Sequence, residues 1–143
     1  MNQPTDENFD NQKIEAYKVP AHARMGTLPR HFGRHMMTFE GRVYDLMRQF
    51  ATEYGGGEWS LFELGNGSMY MTPPGARYRL VIASNGYDGQ MTADAAGITV
   101  CLFAYSLLSF DYQGTDVFAR HFHGLRDYAL GHAESVEIFA AID

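Results

Sequence analysis

Between residues 39 and 54 the apolar side chains recur at helical intervals: Phe39, Val43, Leu46, Met47, Phe50 and Tyr54. That spacing lays one stripe along one face of a helix. Thr38 stands where an N-cap belongs, and Glu40 where the helix dipole favours an acid. Gly55-Gly56-Gly57 ends the pattern. The rhythm then changes. "EWSLFEL", "SMYMT" and "RYRLVIA" are short runs rich in aromatic and branched residues. "GNG" at 65–67 separates the first two as a hairpin turn does, and Pro73-Pro74-Gly75 separates the second and third. The three runs predict an antiparallel meander. On its last strand Tyr78, Leu80 and Ile82 share one face while Arg77 and Arg79 take the other.

Asn85-Gly86 and Asp88-Gly89 read as turn pairs, and Thr92 with Asp94 opens the next helix. That helix, Ala93 to about Phe110, is apolar nearly all round and is expected at the buried centre. Phe118, Phe122, Leu125 and Ala129 mark a further helix, and "ESVEIFAAI" a short terminal one. The fold class is therefore α+β: a small three-stranded antiparallel sheet packed with about four helices, one of them central and buried. Residues 1–12 show no period and are expected to be a mobile tail. The pattern stays weak to Met25, so 1–25 is expected to be flexible or weakly ordered and 26–143 a single domain.

With 143 residues, 45% hydrophobic and 14% aromatic, the chain can bury a real core. The polar, acidic start "MNQPTDENFDNQ" resembles no signal peptide. The apolar stretch Ala95–Phe110 extends about 24 Å at about 1.5 Å per residue, short of a roughly 30 Å hydrocarbon layer. Cys101 stands alone. A soluble cytoplasmic protein without membrane contact is the expectation. The net charge is −6, yet five arginines lie between Arg24 and Arg48 against two acids. Such asymmetry fits either a polar partner surface or pairing between the two halves.

"LPRHFGRH" at 28–35 raises the question of a metal. His31 and His35 have the i, i+4 spacing of a helical pair, but Gly33 and Pro29 disturb the helix that would align them. His121 and His123 are two apart, about 200° around a helix. No "HExxH" or cysteine pair completes a ligand set. A metal-dependent hydrolase using His31 and His35 is the weakest reading, and no metal is expected. Arg30, Arg34, Arg42 and Arg48, extended by Arg77 and Arg79, could grip phosphate as forks. Against this, eleven Lys and Arg in an acidic chain are not a DNA-binding balance. Cys101 among Val100, Leu102 and Phe103 reads as a buried hydrophobe rather than a nucleophile.

The blocks "LPRHFGRH", "VYD" at 43–45, "YGGGEWSLFELGNGSMYMTP" at 54–73, "NGYDGQMTADAAGI" at 85–98 and "FHGLRDYALGHAESVEIFAAID" at 122–143 together resemble the ArdB/KlcA antirestriction proteins. The resemblance runs from about Leu28 to Asp143. It implies a compact mixed α/β domain that protects incoming plasmid or phage DNA from type I restriction, without chemistry of its own and without a cofactor. Ala133 stands where relatives of the "HPEA" kind have proline, which removes only a helix-start preference. The implied partner is a type I restriction-modification complex, met directly or indirectly, with a weak DNA contact through the arginines as the alternative. A monomer is expected. Mimicry of DNA would need about one negative charge per 1.7 Å of duplex axis, a field that −6 on 143 residues does not supply. The candidate contact residues are the polar groups of these blocks that a core does not need: Arg30, His31 and Arg34; Asn85, Asp88 and Gly89; and Arg126, Asp127 and Asp143. Trp59, Phe62 and Tyr70 are expected in the core.

Overall fold

The computed structural model describes residues 13–143, so the expectation of a mobile tail over 1–12 lies outside the described residues. The chain enters through strand β1 (Ala16–Lys18) and a 3-10 turn at Ala21–Ala23. Helix α1 (Arg24–Phe32), a second 3-10 turn (Gly33–His35) and helix α2 (Met36–Phe50) follow without a loop between them. Gly33, at φ +54°, makes the corner where a side chain would be strained. Because the chain arrives at α2 already helical, Thr38 is not the N-cap: α2 begins at Met36, with His35 at the cap position. It also ends earlier than the glycine triplet, at Phe50, and Tyr54 lies beyond it.

Two antiparallel sheets follow. In the first, β1 pairs with β2 (Ser60–Leu64), which pairs with β3 (Met69–Thr72). In the second, β4 (Arg77–Ile82) pairs with β5 (Tyr87–Thr92). The α+β class and the 65–67 hairpin stand, but the third strand of the sheet is β1 rather than β4. Pro73 and Pro74 lack the N–H groups needed to carry a ladder onward, and they lead the chain away. Residues 13–25, expected to be weakly ordered, include β1 in register with β2 (Ala16 opposite Leu64) and a buried Val19. Asp88-Gly89 is not a turn pair. Both residues lie inside β5, and the turn sits at 83–86 with Gly86 at φ +78°.

Helix α3 (Ala93–Asp111) is the centre of the molecule. The Thr92 hydroxyl caps it by accepting from the Ala95 N–H at 3.2 Å. Most of its residues are buried, from Ala93 to Leu108. Its 19 residues match the expected Ala93 to about Phe110 to within one and exceed the 16-residue apolar stretch, and by length and composition it could cross a membrane. Two-thirds of its apolar window is buried inside the fold, which makes it a core helix here. One stripe, Gly97, Cys101 and Tyr105, lies along the outer edge of β3. Tyr105 donates its hydroxyl to the Met69 carbonyl at 2.7 Å, and the Met71 N–H points at the Cys101 sulfur at 3.4 Å. A β-carbon at position 97 would strike the Met71 carbonyl oxygen and lie 2.8 Å from the Thr72 Cα, so only glycine lets helix and strand approach this closely.

Helix α4 (Val117–Leu130) packs on α3 through Phe118, Leu125 and Ala129, and α5 (Ser135–Ile142) closes the fold with Ile138 and Ala141. Phe32, Phe39 and Tyr105 stack in turn at centroid distances of 4.4 and 4.9 Å, joining α1, α2 and α3.

Candidate functional site

The corner "LPRHFGRH" separates its two histidines. His35 turns to the rings of Tyr112 and Phe118. His31 turns to Glu63 on β2 and His121 on α4: its Nε2 is 2.7 Å from Glu63 Oε2 and its Nδ1 is 3.0 Å from His121 Nε2. Arg30 Nη2 donates to the same Glu63 oxygen at 2.6 Å.

Protons in this cluster can be counted. The Val117 carbonyl can only accept, so His121 Nδ1, 2.8 Å away, carries a hydrogen. Burial holds His121 down to about 4, which leaves its Nε2 as an acceptor at neutral pH. His31 Nδ1 must then donate to it, and His31 Nε2 donates to the carboxylate. His31 is thus wedged between the neutral His121 imidazole and Glu63. Burial alone would raise the Glu63 carboxyl, but the hydrogen bond from His31 and the charge of Arg30 hold it below its ordinary value. The cluster is a polar rivet between α1, β2 and α4. The β2–β3 hairpin supports it, since Asn66 donates to the Gly124 carbonyl and Ser68 to the His121 carbonyl, at 2.9 and 2.8 Å.

A second cluster, not foreseen from spacing, fastens α5. Asp94, in the first turn of α3, accepts from Tyr70 and from His132 Nε2, both at 2.8 Å. His132 Nδ1 in turn accepts from the Glu134 N–H at 2.9 Å. Burial pushes the Asp94 carboxyl up, and the bonds from His132 and Tyr70 outweigh it, so it stays below its ordinary value. The Glu134 carboxylate accepts from both the N–H and the hydroxyl of Thr92, and Glu137 accepts from Tyr87 at 2.5 Å. Dipole logic foretells only Asp94 at a helix start; its partners lie 24 and 38 residues away.

The remaining candidates divide between these regions. Asn85 donates to the Ala141 carbonyl at 2.6 Å and accepts from the Tyr87 N–H, so it both makes its turn and holds α5. Asp88 takes a two-point fork from Arg79, at 2.9 and 2.6 Å. Gly89 lies against Tyr87 and Glu137, where a β-carbon would collide. Arg126 stands 5.5 Å over the Phe139 ring. Arg34 and Asp127 are exposed, with no salt-bridge partner among the described residues. Asp143 is exposed at the end of α5. Arg30 and His31 thus meet at the first cluster, whereas Asn85 and Gly89 join α5.

Pairing takes up four of the six arginines of the proposed grip, while Arg34 and Arg77 have no salt-bridge partner among the described residues. Arg30 is bound to Glu63, Arg42 to Asp111, Arg48 to Asp45, Arg79 to Asp88 and Arg120 to Asp116, each at 2.6–3.0 Å. A phosphate would have to compete with a carboxylate at Arg30, Arg42, Arg48 and Arg79. Cys101 is fully buried, its thiol pushed up to about 12 by desolvation, and it is no nucleophile.

Residues 52–143 match the family model described as "Antirestriction protein". Over 141 residues the chain is 37% identical to the antirestriction protein KlcA of Escherichia coli, covering 95% of this chain and 99% of that one. It is equally similar to the uncharacterized protein YfjX of E. coli strain K12, with 95% and 92% covered. A solved structure superposes with a TM-score of 0.85 at 38% identity, covering 92% of this chain and 96% of the other. That structure is reported as showing for the KlcA and ArdB proteins a novel fold and antirestriction activity against type I DNA restriction systems in vivo but not in vitro.

Proposed function

This chain belongs to the KlcA/ArdB antirestriction family, and on that premise we propose that it relieves type I restriction of incoming plasmid or phage DNA by contact with a partner rather than by catalysis. Family membership across the whole fold carries the reading. The local chemistry supports the non-catalytic part. A general base needs a free lone pair within reach of a substrate. His31, His121 and His132 instead have both ring nitrogens engaged inside the protein. The charge pattern supports a protein partner over a duplex: five arginines are closely paired with carboxylates, which weakens any cationic track for phosphates among the described residues.

The contact residues we favour are those with no structural duty in the fold: Arg34, Asp127 and Asp143. Arg30, His31, Asn85, Asp88 and Gly89 are occupied by internal contacts and act by shaping the surface. The test is made in cells that carry a type I system. Unmodified phage is expected to plate on cells expressing the protein at an efficiency approaching that on a non-restricting host. Well-expressed, folded protein that leaves plating unchanged would refute the reading.

A further inference from the structure

A cavity of about 340 Å³ opens where β1 runs into the first 3-10 turn and faces the start of β2. Lys18 and Arg24 stand in its wall, with Trp59 and Glu58 on the β2 side. The Trp59 indole is buried and its N–H is bonded to the Tyr54 hydroxyl at 2.8 Å, so the indole itself offers the cavity only apolar surface, beside the polar Glu58 and Ser60. Arg24 is unlike the five arginines with close partners. Its side chain is only 29% exposed, and Glu58 Oε2, at 3.8 Å from Nε, is beyond hydrogen-bonding distance. No described residue accepts a hydrogen bond from its guanidinium. Glu58 itself is 83% exposed and free to swing out.

We propose that this cavity is a binding site for the carboxylate of an acidic side chain on a partner protein, with Arg24 as the fork and Lys18 as the second cation. A half-desolvated guanidinium without an acceptor among the described residues gains from a ligand that completes its bonds. The loosely held Glu58 marks the spot where a carboxylate sits and gives way to one with better geometry. The volume accommodates one acidic side chain, and five of the other arginines that a phosphate backbone would need are held by their own carboxylates. The site lies apart from the residues singled out above for partner contact. It is tested by binding alone, so its failure leaves the restriction reading untouched.

The experiment titrates the full, isotopically labelled chain at fixed ionic strength with a short polyglutamate peptide, with inorganic phosphate and with a duplex oligonucleotide, following backbone amides by NMR. The peptide is expected to shift amides of residues 18–24 and 58–60 saturably. R24Q and K18Q should each weaken it about tenfold, the loss of one charge-assisted bond, and E58Q should not weaken it. Lys18 is exposed, so K18Q decides the matter should R24Q misfold. Absence of saturable shifts overturns the proposal, as does binding indifferent to K18Q. Shifts produced by phosphate or duplex but not by the peptide overturn it as well.

Discussion

His31 Nδ1 lies 3.0 Å from His121 Nε2, across 90 residues of chain, and the bond joins the last turn of α1 to the second turn of α4. It works only while His121 is neutral. Protonating His121 would set two N–H groups against each other, beside Arg120, in a buried site that already disfavours charge.

Stability is therefore expected to depend on pH in a defined window. The folded His121 titrates at about 4, below its ordinary 6.5, so the unfolded chain takes up the proton first as pH falls. Its contribution is fully present above 6.5, erodes between 6.5 and 4, and levels off below. The loss should be on the order of 3 kcal/mol, because each tenfold drop in proton affinity on folding is worth about 1.4 kcal/mol. Glu63 and Asp94, both held low, add their losses only below the ordinary carboxylate range. Denaturant midpoints measured from pH 7.5 to 4.5 should fall, and H121Q should flatten that slope.

Two glycines in helices should respond oppositely to alanine. Gly97→Ala drives a methyl into the β3 backbone and should cost about 2–4 kcal/mol, as overpacking against rigid neighbours does. Gly41→Ala, inside α2 with nothing within 4 Å of the added carbon, should stabilise by about 0.5–1 kcal/mol through helix propensity. Equilibrium unfolding of both variants measures the contrast.

Thr92 holds two ends at once, capping α3 and anchoring Glu134 ahead of α5. Thr92→Val should destabilise by about 1–2 kcal/mol for the cap alone. The sharper signature is hydrogen exchange: amides of 135–142 should open well before those of 93–111.

The Cys101 thiol should resist a disulfide reagent at pH 8 in the native protein, since it is both buried and held near 12. Labelling should appear only with unfolding, in step with the loss of helical signal. Rapid native labelling would contradict the sealed edge of β3.

Arg34→Glu and Asp127→Asn carry the proposed contact to a decision. Both positions are exposed, so melting midpoints should stay put while plating of unmodified phage drops. A drop in stability without loss of relief would place these residues in the scaffold instead.

The elements whose logic is local were legible in the sequence. Alternation on β4, the apolar run of α3 and the cap at Thr92 all follow from residues within a few positions of one another. β1 was hidden because three residues carry no alternation; its backbone pairing with β2 defines it. β5 was hidden because Asp88 and Gly89 look like a turn. Gly89 is needed there for room beside Tyr87 and Glu137. His31 and Arg30 could be picked out by type, but their partners Glu63 and His121 come from 32 to 90 residues away. Distance along the chain likewise concealed the pairing of Arg42 with Asp111, which ties one arginine of the apparent basic patch to an acid.

On the outer border of β3 the Met69 carbonyl and the Met71 N–H are taken up by α3, which meets them with a phenol and a thiol. A sheet closed this way offers no seam at those residues onto which a stray extended chain could zip. Exposure of the sheet to fibril-like stacking on that flank would first require peeling away the most deeply buried helix of the protein.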